Sequence, residues 1–208
     1  FASWKNQIAL DYLDNGDALM LVFAQNPDLM GSLDPQKVQA KQQAEAPHFF
    51  SLFAKFAAGA TNALVAAAPI TSWATKVFPN LSADEAVSRL WDAIFTACRV
   101  KSDDPVADWE QHIAALEKRA DYLNAKQYSA LHYTADGIDL TVGLPAGHIW
   151  HSGRLTSQRG ISYVANIPTE EVFTMPHKDH IDGVVKATKP LSYGGSLIED
   201  FSLKFSEG

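Results

Sequence analysis

Ser129-Ala130-Leu131-His132-Tyr133-Thr134-Ala135-Asp136-Gly137-Ile138-Asp139-Leu140-Thr141-Val142 is where the hydrophobic period of the chain changes. Leu131 and Tyr133 alternate with His132 and Thr134. Asp136-Gly137 is a hairpin turn pair, and Ile138, Leu140 and Val142 resume the alternation. A period of two puts one side of each strand against a core. Further short β-prone runs follow at residues 163–165, 172–174, 183–185 and 201–205. Upstream the dominant period is helical. The polar stretch Asn124-Ala125-Lys126-Gln127-Tyr128 separates the two regimes, and this sets the expected domains at 1–125 and 126–208.

The upstream part alternates strand and helix. Residues 1–13 read as an amphipathic helix with Trp4, Ile8, Ala9 and Tyr12 on one side, stopped by Asn15-Gly16. Ala18-Leu19-Met20-Leu21-Val22-Phe23-Ala24 is a continuous apolar run, as expected of a strand covered on both faces. Asp34-Pro35 caps a helix over 37–45, and Pro47 is read as a break before a second helical stretch. Residues 63–68 read as a strand ended by Pro69. Ser82 and Glu85 form a capping box for a helix whose apolar face holds Ala86, Leu90, Trp91, Ile94, Phe95 and Cys98. Asp104-Pro105 opens another helix, with Val106, Trp109, Ile113, Leu116, Ala120 and Leu123 spaced by three and four.

Composition narrows the function classes. The 208 residues carry a formal charge of -7 and have an isoelectric point near 5.4, which leaves no basic footprint for nucleic acid. Cys98 is the sole cysteine, so no intramolecular disulfide forms, which suits a reducing, cytoplasmic setting. The Ala-rich residues 56–68 are interrupted by Gly59, Thr61 and Asn62 and fall short of the ~20 apolar residues of a membrane span. There is no P-loop, Gly-x-Gly-x-x-Gly, Gly-x-Ser-x-Gly, His-Glu-x-x-His or Cys-x-x-Cys motif.

Chemistry concentrates in Ile167-Pro168-Thr169-Glu170-Glu171-Val172-Phe173-Thr174-Met175-Pro176-His177-Lys178-Asp179. Two adjacent carboxylates in a proline-bounded turn raise each other's pKa unless a metal or a base neutralises them. Neighbouring residues of a strand face opposite ways, so at most one of Glu170 and Glu171 faces a metal. His177, Asp179 and His180 sit too close in sequence to aim at one ion and read as a solvated loop or cleft rim. His148 and His151 flank Trp150 and read as structural, and Cys98 as a buried, inert thiol.

The segment resembles the signature of the metalloaminopeptidase family that includes aminopeptidase T, AmpS and PepS, Pro-Thr-Glu-Glu-Val-Phe-Thr-Ala-Pro. The resemblance extends to Gly137-Ile138-Asp139-Leu140-Thr141-Val142-Gly143-Leu144-Pro145 with Gly147-His148-Ile149-Trp150. It continues in Thr188-Lys189-Pro190-Leu191-Ser192-Tyr193-Gly194-Gly195, then Leu197-Ile198-Glu199 and Phe201, and it reaches back to Arg89-Leu90-Trp91-Asp92-Ala93-Ile94-Phe95. Met175 stands where the family pattern has Ala, and His180 where it has Arg.

The resemblance implies an α/β fold: part of a Rossmann-like α/β domain followed by part of a β-rich (α+β) metallopeptidase domain. It implies removal of N-terminal residues from peptides by water held between two divalent metals, zinc or cobalt, about 3.5–4 Å apart. Matched residue by residue, Glu171 is the expected metal ligand. The other ligands, the general base and an electrophilic tyrosine are expected beyond Gly208, and no catalytic or substrate-binding residue is assigned within the chain, His177 and Tyr193 included. The full protein is expected to be about twice as long, a homodimer and cytoplasmic. The chain as given is expected to be an inactive fragment whose metal site is incomplete, with an unsatisfied strand edge at 201–205. Two other readings stay open. One is a truncated or degenerate interaction module. The other is a glycosidase pairing Glu171 with Asp139 or Glu199 about 5–9.5 Å away.

Overall fold

The structure is a computed structural model and describes residues 4–193 and 196–208. Residues 1–3, read as the start of the first helix, and Gly194-Gly195 of the family-like segment lie outside the described residues. The chain is α/β and forms two compact units. One contains the described residues up to Ala114 together with Gly153–Glu170, and the other Ala115–Ser152 together with Glu171–Gly208. Relative to a single cut at 126, residues 115–125 group with the second part and residues 153–170 with the first.

The first unit opens with α1 (Trp4–Asn15), stopped where Gly16 takes φ +87 and donates to the Leu13 carbonyl at 3.0 Å. β1 (Leu19–Phe23) and β2 (Ala63–Ala67) pair in parallel, Leu19 opposite Ala63, and α2 (Pro35–Ala57) makes the crossover that parallel strands require. Asp34 caps α2, its side chain accepting from the Gln36 N–H at 2.9 Å. The break expected at Pro47 is a correction: α2 runs through it unbroken. Proline removes one donor there, but the residues before it are rich in Ala, Gln and Lys, whose helix propensities sustain the turns that lead into it.

β1 also departs from expectation. Met20, Leu21, Val22 and Phe23 are all exposed, 61% for Met20 and 46% for Phe23, so neither face is covered among the described residues. The run is apolar on both faces, as a strand inside a doubly wound sheet would be.

The core of this unit lies between α3 (Thr71–Val77), which the sequence reading missed, and α4 (Ala83–Ala97). Ala74, Ala86 and Leu90 are buried there against Trp73, Phe78, Val87 and Ile94. The Ser82–Glu85 capping box is formed in both directions. The buried stripe of α4 is narrower than its apolar face, because Trp91 and Phe95 stack on each other at 5.1 Å on the open side. α5 (Pro105–Lys126) follows. The hairpin of β5 (Arg154–Thr156) and β6 (Ser162–Val164) then brings the chain to β2, where the Val65 N–H donates to the Ala165 carbonyl at 2.7 Å. This docking delivers the Ile167–Pro168 cis peptide and the acidic pair after it.

The second unit is built on an antiparallel sheet of order β10-β7-β4-β3, made of β3 (Ala130–Ala135), β4 (Ile138–Gly143), β7 (Ile181–Lys186) and β10 (Ser202–Phe205). The predicted hairpin forms, with Ala135 opposite Ile138 and Gly137 at φ +72 in the turn. β8 (Leu191–Tyr193) and β9 (Ser196–Ile198) pair separately, and β10 is an edge strand. Ala120 of α5, Leu144 and Trp150 are buried against Leu123, Leu131 and Val172. The strand expected at 172–174 is a second correction. Phe173 makes only an isolated bridge to His151, with N–H to carbonyl distances of 3.0 and 2.9 Å. Pro168 and Pro176 have no N–H to donate, so pairing cannot extend through either of them. Among the described residues, no helix is long and apolar enough to cross a membrane.

The boundary at 125/126 is a proposal that limited proteolysis tests. α5 ends at Lys126, Gln127 takes φ +47, and residues 125–129 are exposed. Trypsin is expected to cut first after Lys126. First cuts inside α4 or β4 would refute it.

Candidate metal-ligand site

The turn after the cis Ile167–Pro168 bond is held by two side chains from far upstream. Arg99 follows α4 with φ 55, its N–H donating to the Thr96 carbonyl at 3.2 Å. Both ends of its guanidinium fork meet the Glu170 carboxylate, Nη2 donating to Oε2 at 3.0 Å and Nη1 to Oε1. Bidentate pairing of this kind fixes orientation as well as charge. The hydrogen bonds that Arg99 donates to Glu170 hold the Arg99 pKa above its ordinary value. His112 on α5, largely buried, donates from Nε2 to the carbonyl of buried Thr169 at 2.7 Å and stands 3.6 Å from Glu170 Oε2. Trp109 ties the two supports together. Its indole N–H donates to the Cys98 carbonyl at 2.8 Å, and its ring meets the His112 ring edge-on at 5.7 Å.

The two acids therefore have different environments. Glu170 is engaged by Arg99, and His112 Nε2 stands 3.6 Å from it. Glu171 is exposed and makes no hydrogen bond or ion pair among the described residues. The sequence argument had separated them by strand alternation. Here they lie outside any strand or ladder, and their partners separate them instead.

The other candidates fall elsewhere. His177 and His180 stack face to face at 3.8 Å across a turn, and the Asp179 N–H donates to His177 Nδ1 at 3.3 Å, so the three form a local loop structure. His148 is buried beside Trp150, its Nδ1 donating to the Pro145 carbonyl at 2.9 Å, while His148 Nε2 and Trp150 Nε1 have no hydrogen-bond partner among the described residues. His151 is exposed and packs its ring on Phe173. Cys98 is buried, and burial pushes its thiol pKa up, as an inert cysteine requires. Asp139 pairs with His132 at 2.8 Å on the open surface and Glu199 is exposed, so the glycosidase reading gains no support. Among the described residues, no three His, Cys, Asp or Glu side chains gather in a way that could hold a metal ion.

Arg99 and His112 were not singled out by the sequence reading. Their partners lie 71 and 57 residues away, so no local spacing announces them. The available hint was Arg99 just past a helix end, where a charged side chain is free to reach another element.

The profile of the thermophilic metalloprotease (M29) family matches residues 1–208. The chain belongs to the M29 family. It is 41% identical over its whole length to aminopeptidase AmpS of Bacillus subtilis, covering 51% of that protein. It is 40% identical over 193 residues to aminopeptidase T of Thermus thermophilus, covering 93% of this chain and 47% of the relative. The solved structure of wild-type AmpT from Thermus thermophilus superposes with a TM-score of 0.88 at 37% identity, over 100% of this chain and 51% of that one. The M29 chain thus spans about half the length of the curated relatives it matches. The family resemblance carried by the acidic turn and its flanking segments is confirmed along the whole sequence.

Proposed function

We propose that the protein containing this chain is a metal-dependent aminopeptidase and that Glu171 supplies one carboxylate to its metal site. Family membership along the full chain and the aminopeptidases among its relatives support the activity. The difference between the two acids carries the assignment: Glu170 is neutralised by Arg99, and Glu171 stands open without a partner among the described residues. A hard, anionic oxygen donor of this kind fits a divalent ion. Such an ion, one of a pair of zinc or cobalt ions in this reading, lowers the pKa of a bound water and polarises the scissile carbonyl.

The chain's own residues prepare that donor. Pro168 begins the turn and His112 fixes the Thr169 carbonyl. Arg99 balances the charge of Glu170, so the two adjacent carboxylates carry one net negative charge less. In this proposal, the remaining ligands and the general base lie in the length of the relatives that this chain does not span. Peptides are the substrates, the assembly is a homodimer, and the location is cytoplasmic.

The test is hydrolysis of a panel of aminoacyl anilides by the full-length gene product. Activity should disappear with chelator and return with added zinc or cobalt. Chelator-insensitive hydrolysis, or none on any substrate with metal present, would overturn the proposal.

A further inference from the structure

Adjacent carboxylates pose a selection problem, because a divalent ion drawn to one is drawn to the other as well. We propose that Arg99 forms a charge clamp on Glu170, with His112 holding the backbone beside it, that removes Glu170 from competition for metal and leaves Glu171 as the only free acid of the pair. This rests on the reading of Glu171 as a ligand and adds two positioning residues to it.

Three observations support the clamp. The Arg99 fork takes both Glu170 oxygens, so the lone pairs best placed for an ion are already filled. His112 Nε2 is committed to the buried Thr169 carbonyl at 2.7 Å, which fixes the backbone next to Glu170, and it lies 3.6 Å from the Glu170 carboxylate. The supports are themselves fixed: Arg99 sits at φ 55 directly after Cys98, whose carbonyl accepts from Trp109, and Trp109 lies against His112. A surface ion pair made only for stability would not need this second layer of support. Isolated exposed pairs contribute little.

The roles are separable. If the clamp acts by occupying Glu170, loss of Arg99 harms the site because Glu170 becomes available, and removing the Glu170 charge should undo the harm. If Arg99 is only structural, a second substitution at Glu170 has nothing to repair.

The experiment uses the full-length protein loaded with cobalt(II), and reads the visible absorption of the bound ion alongside kcat and KM. Arg99→Met should change the cobalt spectrum and lower kcat by roughly 10–100-fold, the usual cost of losing an outer-shell partner, with KM little changed. Arg99→Lys, which keeps charge but loses the fork, should lie between. Arg99→Met with Glu170→Gln should recover the wild-type spectrum and most of kcat, while Glu170→Gln alone stays near wild type. A wild-type spectrum in Arg99→Met, or a double variant as impaired as Arg99→Met, would overturn the clamp.

Glu171→Gln in the same series separates the two claims. Cobalt loss there with an unchanged Arg99→Met spectrum overturns the clamp and keeps the ligand. Wild-type cobalt content in Glu171→Gln overturns the ligand, and cobalt loss in Glu170→Gln overturns both.

Discussion

Glu171→Gln in the full-length protein is expected to keep the fold, lower the metal retained after a chelator wash, and reduce activity by more than the roughly 10–100-fold cost of an outer-shell loss. The substitution is nearly isosteric and removes a single anionic donor. Glu171 is exposed and makes no hydrogen bond or ion pair among the described residues, so no structural bond is lost with it. A fall in stability cannot then stand in for a fall in activity, and thermal unfolding of the apo protein should be close to wild type. Glu170→Gln is the matched control. Its carboxylate is spent on Arg99, so its loss should weaken a surface ion pair and little else. Metal content by elemental analysis and turnover of an aminoacyl anilide decide the matter. Wild-type turnover and unchanged metal stoichiometry in Glu171→Gln would refute the assignment.

Local signals in the sequence were reliable where one residue pair determines geometry. The Asp136-Gly137 turn, the Ser82–Glu85 box and the Asp34 cap appear in the structure as the residues predict. The α5 stripe is also right in its middle, where Ile113, Leu116 and Ala120 are buried, and wrong at Val106, which is 73% exposed beside the helix start.

Signals failed where a property depends on distant partners. Pro47 reads as a break because proline is judged against its neighbours, yet the turns on both sides carry the helix across. Residues 172–174 are β-prone, but a strand needs a partner along its whole length and Phe173 finds only His151. The acidic turn combines both cases. Its residue types and order carry the family resemblance, whereas the different surroundings of Glu170 and Glu171 depend on Arg99, 71 residues upstream of Glu170.

The 208-residue polypeptide, expressed alone and washed with chelator, is expected to retain no tightly bound metal and to show no aminopeptidase activity. A binuclear site binds through several donors at once, and affinity requires that they be assembled. Glu171 offers one carboxylate, and no three candidate ligands gather among the described residues. One carboxylate in water holds a divalent ion only weakly, because the ion must give up hydration for a single bond. Glu170 cannot serve as a second donor while Arg99 occupies both of its oxygens. Elemental analysis after the wash, with an anilide assay at saturating zinc or cobalt, measures both parts of the expectation. Near-stoichiometric metal with activity would mean that a donor set forms from residues lying apart here. The first variants to make would then be at His177 and His180, whose stacked rings are already 3.8 Å apart, and at His148, whose buried Nε2 has no hydrogen-bond partner among the described residues.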